Sequence, residues 1–151
     1  MLPKPRLRVF LDSNVIFSGM YSSQGAPGII LEHFIEGRLR VVISQQVLGE
    51  IVHTIKEKLP EALPALRRLL VNIPPEIGED PTLEEVAHWA EVINIEDASI
   101  LAAAIIAEPD YLITGDKHFF ENPDIAEKSR LHIVTPTQFM KHLRKEGAEL
   151  S

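Results

Sequence analysis

The 151-residue chain contains no cysteine. That excludes disulfides, thiolate zinc centres and cysteine nucleophiles together, and it fits a reducing, cytoplasmic setting. Also missing is any apolar run near the ~18 residues that a membrane span requires. The N-terminal MLPKPRLR is charged and lacks the apolar core of a secretory leader, so none is expected. No G-x-S-x-G elbow occurs, which disfavours an acyl-transfer hydrolase. Aromatics are few, with six Phe, two Tyr and one Trp, and they form no platform for stacking bases. Excess positive charge is lacking too: 15 Lys and Arg against 22 Asp and Glu leave a net charge of −7. Non-specific nucleic-acid binders are usually basic, so charge alone disfavours a nucleic-acid partner. That sign misleads if several of the acids share one pocket and hold cations, because a bound ion inverts the local field.

What is present reads as one α/β domain over residues 1–151, a length that buries about two-thirds of the unfolded surface. Short apolar strands are predicted at residues 7–11, 40–43, 110–114 and 132–134. Helices are predicted between them. The first covers 26–36, with Pro27 in its first turn and Gly37 past its end. Ser44 caps a second, running to about residue 59, whose apolar face is Val47, Leu48, Ile51, Val52 and Ile55. Residues 57–81 contain five prolines and read as a short helix, 63–71, plus an irregular link, with the option of a protruding arm. Thr82 and Glu85 form a capping-box pattern that opens a helix to about residue 93. An alanine-rich helix follows at 96–107. Thr135 and Gln138 make a second capping box, opening a last helix to about residue 145. Strands apolar on both faces belong to parallel sheets covered on both sides, which predicts a three-layer α/β/α arrangement with four or five strands.

In open α/β sheets, ligands bind outside the carboxyl ends of the strands. Acids fall there. Asp12 ends the first strand, interrupting the apolar run VFLDSNVIF, with Asn14 two residues on. Asp116 follows the third predicted strand after Thr114 and Gly115. Glu50 lies in the early turns of the helix after the second strand. Asp97 lies in the first turn of the alanine-rich helix and projects onto its apolar face, between Ile100 and Leu101 and near Ile105. Each acid alone has a structural role open to it: a helix-dipole partner for Glu50 and Asp97, an Asx turn for Asp12, a helix cap for Asp116. As a group they are costly, since two carboxylates ~4 Å apart repel by about 4 kcal/mol at an effective dielectric of 20. A divalent cation removes that cost, and all-oxygen ligation suits Mg2+ or Mn2+ rather than zinc.

Asp12-Ser-Asn14 after the first strand, Glu50 in the next helix, Asp97 opening EDASILAAAI and Thr114-Gly-Asp116 after YLI together resemble the PIN domain family. The likeness spans nearly the whole chain and is nearest to the prokaryotic subgroup of toxin components of toxin–antitoxin systems. It implies a Mg2+- or Mn2+-dependent ribonuclease acting on an RNA substrate, with an antitoxin protein as a partner and a homodimer as the assembly. It further implies Asp12, Asp97 and Asp116 as metal ligands, Glu50 as a ligand or a base orienting water, and Asn14 and Thr114 as supports. Many relatives carry a further acid where this chain has His118, which bears on a second metal. Lys117 and His118 are read as a solvated loop pair, with phosphate contact as the alternative. Basic residues occur in pairs (Arg6 and Arg8, Arg38 and Arg40, Arg67 and Arg68, Lys128 and Arg130), and Trp89 and Tyr111 are assigned to the core. The stripe Ile29, Ile30, Phe34 and Ile35 suits either core burial or an interface. A non-catalytic PIN-like module remains a rival. A phosphotransfer domain of dehalogenase type would need an Asp where Asn14 stands, and one of receiver type would need an acid pair near the first strand.

Overall fold

The computed structural model describes residues 6–145; the charged lead-in at 1–5 and residues 146–151 lie outside the described residues. Strands β1 (Leu7–Leu11), β2 (Leu39–Ile43), β3 (Glu76–Ile77), β4 (Tyr111–Ile113) and β5 (Ile133–Val134) form one all-parallel sheet in the order β3-β2-β1-β4-β5. Between and after them run α1 (Ser13–Tyr21), α2 (Ala26–Ile35), α3 (Gln45–Lys58), α4 (Leu63–Asn72), α5 (Leu83–Trp89), α6 (Ile95–Ala107), α7 (His118–Glu121), α8 (Asp124–Ser129) and α9 (Pro136–Lys145). Parallel neighbours need right-handed crossovers. The chain therefore steps from β1 through β2 to β3 with helices on one face, then returns to β4 and β5 with helices on the other. The result is the expected three-layer α/β/α sandwich.

Its core is what the strand composition requires. Val9, Phe10, Leu11, Val41, Val42, Ile43, Leu112 and Ile113 are all buried, so both faces of the central strands are covered. Ala98, Ala103 and Ala104 let α6 sit close to the sheet, and Val47, Ile51 and Ile55 carry α3 onto it. Phe139 anchors α9, which packs on α2, and its ring meets Tyr111 edge-on at 5.3 Å.

Several local expectations change. The apolar residues after Asp12, assigned to no element from sequence, form a helix, α1: Asp12 has extended backbone and caps it, accepting from the Ser13 N–H at 2.8 Å. The proline-rich link contains the two-residue edge strand β3, which pairs with β2 at Val42 and Ile43. The adjoining α4 does not protrude but docks through the buried Leu66. Thr82 and Glu85 do form a capping box, yet α5 stops at Trp89. The next helix starts at Ile95, because Asn94 caps it by accepting from the Asp97 N–H at 3.0 Å. Thr135 and Gln138 bond reciprocally at 2.9 and 3.1 Å, as their pattern predicts. In α2, Ile30 and Phe34 are core while Ile35 is half exposed. Trp89 and Tyr111 pack partly buried against the core.

Candidate active site

The direction of winding reverses between β1 and β4, so a crevice opens at their carboxyl ends. Register alone places Asp12 and Thr114 side by side there. Leu11 pairs with Ile113, and the Asp12 N–H continues the ladder to the Ile113 carbonyl at 3.1 Å. Both residues are buried. Asp12 Oδ2 accepts from Thr114 Oγ1 at 2.8 Å and from Asn14 Nδ2 at 3.1 Å, while Oδ1 accepts the Ser13 N–H. The Asn14 carbonyl oxygen in turn accepts from the Gly115 N–H at 2.8 Å, tying the two strand ends together. A side chain at Gly115 would bring its first carbon to 3.2 Å from that oxygen, a tight contact that would push the Asn14 amide by a few tenths of an ångström.

Thr114 also links the second acid to the first. Its Oγ1 accepts from the Asp116 N–H at 3.0 Å, and Asp116 Oδ1 accepts from the His118 N–H at 2.9 Å as α7 begins. Asp97 comes from the opposite direction, in the first turn of α6. It is buried, and Asn94 Nδ2 donates to its Oδ2. Glu50 lies one turn into α3 and is held from both sides. Ser13 Oγ donates to its Oε2 at 3.0 Å, and Gln46 Nε2 donates to its Oε1 at 2.9 Å. Gln46 also reaches the Glu96 carbonyl at 3.2 Å, which joins α3 to α6.

The four acids form one electrostatic neighbourhood. Burial pushes the Asp12 carboxyl up to about 6 from an ordinary value of 3.8; bonds from Thr114 and Ser13 hold it down in part, and the charges of Glu50 and Asp97 push it further up. Asp97 is raised as well, first by burial, with Asp116 adding repulsion and Asn94 and His118 opposing it. Buried carboxylates raised in this way lack positive charge. The donor chemistry, carboxylate oxygens from three separate elements, fits a hard dication. The tightest grouping, however, is Asp97, Asp116 and His118, whose donor atoms lie within 4.8 Å of one another. Lys117 and His118 are both exposed, as a solvated loop pair would be, but His118 also turns its Nδ1 to Asp116 Oδ1 at 3.1 Å and to Asp97 Oδ2 at 3.4 Å.

Asn94, Ser13, Gln46 and His118 therefore join the site beyond the residues expected there. Asn94-x-x-Asp97 is itself an N-cap pattern and was visible in sequence. Ser13 and Gln46 carry no comparable signal, since Glu50 and Glu96 are distant from them or reached only through the fold, while His118 stands out only as the position where the resemblance sets a further acid in many relatives. The basic pairs nearest the N-terminus lie at the opposite rim. Arg8 and Arg40 both meet Glu76, at 3.4 and 3.0 Å, Arg38 meets Glu36 at 3.1 Å, and Arg6 donates to the Gly37 carbonyl. An open groove of about 410 Å3, lined by Ser44, Gln46, Leu83, Ile95 and Ser99 among others, adjoins Glu50 through Gln46. No helix among the described residues is long and apolar enough to cross a membrane.

A family model described as PIN domain matches residues 8–118. No curated protein matches the sequence. Among solved structures, VapBC2 from Rickettsia felis bound to a DNA fragment from their promoter is similar with a TM-score of 0.61, at 17% identity over 85% of this chain and 98% of that one. PAE2754 from Pyrobaculum aerophilum is similar with a TM-score of 0.60, at 18% identity over 89% of this chain and 94% of that one. FitAB bound to the IR36 DNA fragment is similar with a TM-score of 0.59, at 17% identity over 85% and 94% of the two chains. At such identities the likeness speaks for the fold.

Proposed function

The chain belongs to the PIN domain family, and from that premise we propose that it is a Mg2+- or Mn2+-dependent endoribonuclease, the toxin component of a toxin–antitoxin pair. The observation that carries this reading is the gathering of the buried acids Asp12 and Asp97, both raised by burial and by neighbouring charge, with the half-buried Asp116 at one crevice. Asp12, Asp97 and Asp116 would hold the ion. When bound, a divalent ion supplies an acidified water near neutral pH and positive charge for the phosphate.

This chain's own groups do the positioning. Thr114 and Asn14 occupy Oδ2 of the Asp12 carboxylate and the Ser13 N–H takes one position on Oδ1, which fixes the group and leaves one acceptor position on Oδ1. Asn94 likewise holds the Asp97 carboxylate. Glu50, gripped by Ser13 and Gln46, is the group to take the proton from the attacking water at a carboxylate oxygen. Water oxygen forms its bond to phosphorus in line with the sugar oxygen that leaves, and the leaving oxygen takes a proton from solvent. RNA contacts are expected mainly with the backbone and to weaken with salt. The fold likeness to VapBC2 and FitAB supports an antitoxin protein as partner; we further propose a homodimer working in the cytoplasm, on one domain per chain.

The test is cleavage of single-stranded RNA by purified protein in Mn2+ and in EDTA, beside an Asp97→Asn variant. Cutting is expected only from the wild type with metal. Equal cutting by wild type and variant would overturn the reading and leave a contaminant as the source, and a metal-saturated protein that binds RNA without cutting it is a non-catalytic module.

A further inference from the structure

We infer that His118 supplies a nitrogen donor to the dication centre, so that the site selects a first-row transition ion over Mg2+. This rests on the metal-dependent reading above and narrows it. His118 Nδ1 lies 3.1 Å from Asp116 Oδ1 and 3.4 Å from Asp97 Oδ2. Donor atoms bound side by side to an octahedral ion with ~2.1 Å bonds are about 3 Å apart, close to these two distances, and all three donors lie within 4.8 Å of one another, so small side-chain rotations would let one ion take all three. The ring is placed by the fold. The His118 N–H bonds Asp116 Oδ1 at 2.9 Å, and the next residue, Phe119, is buried and anchors the short α7.

Donor type then decides the ion. Mg2+ is a hard cation that takes oxygen and sheds water reluctantly, so an imidazole gains it little. First-row transition ions accept imidazole nitrogen and rise in affinity along the series from Mn2+. An imidazole added to the carboxylates therefore separates the two classes where an all-carboxylate site would not. The competing role for His118 is that of a protonated counter-ion, which would occupy the place of the metal and oppose binding of every dication alike.

The experiment uses the intact protein, its His118→Ala and His118→Asp variants, and Mn2+ and Mg2+ as probes. Affinity is read by titration, and bound Mn2+ by electron spin-echo modulation from directly coordinated nitrogen. Wild-type protein is expected to bind Mn2+ more tightly than Mg2+ and to show nitrogen modulation. In His118→Ala the modulation disappears and Mn2+ affinity falls by about tenfold or more, with Mg2+ affinity little changed. His118→Asp narrows the gap between the ions and shows no modulation. Bound Mn2+ without nitrogen modulation in the wild type, or tighter binding of both ions by His118→Ala, overturns the inference while leaving a metal site standing. No Mn2+ uptake at millimolar concentration overturns both. Because the His118 side chain is about half exposed (49%), His118→Ala should keep a urea midpoint near wild type in EDTA, whereas His118→Asp, which adds a carboxylate beside Asp97 and Asp116, should lower it until metal is added.

Discussion

Replacing Asp12 by Asn should stabilise the metal-free protein while abolishing its response to metal. The Asp12 carboxyl is raised from 3.8 to about 6, chiefly by burial. At 1.36 kcal/mol per pH unit, keeping it ionised in the folded state costs about 3 kcal/mol. The unfolded chain releases this proton near pH 4 and the folded chain near pH 6. Between those values the folded state binds more protons, so metal-free stability is full below about pH 4 and declines until about pH 6. Asparagine carries no charge and keeps the cap on the Ser13 N–H through its oxygen. Its NH2 then faces Asn14 Nδ2, losing that hydrogen bond at a cost of about 1 kcal/mol, while the Thr114 hydroxyl, which donated to the same oxygen, must turn to accept. The net gain is about 2 kcal/mol at pH 8, vanishing or reversing near pH 4. Urea unfolding in EDTA between pH 4 and 8 measures it. Adding Mn2+ should reverse the order, since an ion at 100 times its dissociation constant adds about 2.7 kcal/mol to the wild type alone. An Asp12→Asn protein less stable than wild type at pH 8 in EDTA would refute the reasoning, because the buried carboxylate would then be compensated without metal.

Two further outcomes follow from the supports of the acids. Thr114→Val keeps the shape of a fully buried residue but removes the bonds to Asp12 and from the Asp116 N–H, so the urea midpoint should drop by the equivalent of about 1–3 kcal/mol, with weaker Mn2+ binding. Asn94→Ala should cost about 1 kcal/mol for the lost cap of α6, whereas Asn94→Asp keeps that cap but sets a second carboxylate against Asp97, so it should restore neither the metal-free stability nor RNA cleavage.

The long periodic elements were legible in the sequence because their causes are local. The apolar face of α3, the alanines of α6 and the boxes at Thr82 and Thr135 act within a turn or two of chain, and each appears where its pattern points. Short elements escaped for the converse reason. Two exposed residues, Glu76 and Ile77, become a strand only because β2 offers them an edge. The four-residue helix from His118, by contrast, stands where the capping role open to Asp116 placed one, pinned by the buried Phe119. The apolar run beyond Asp12 carries no sign of changing from strand to helix except the acid itself, whose capping role depends on backbone geometry.

By itself the sequence determined which acids end strands or open helices, since a charge set in an apolar run is a local anomaly that composition displays. Only the tertiary structure decided that these acids face one another, and that His118 stands between Asp97 and Asp116. That meeting depends on β4 lying beside β1 and on α6 returning across the sheet, and the order of strands is set by how crossovers pack rather than by any residue's own preference.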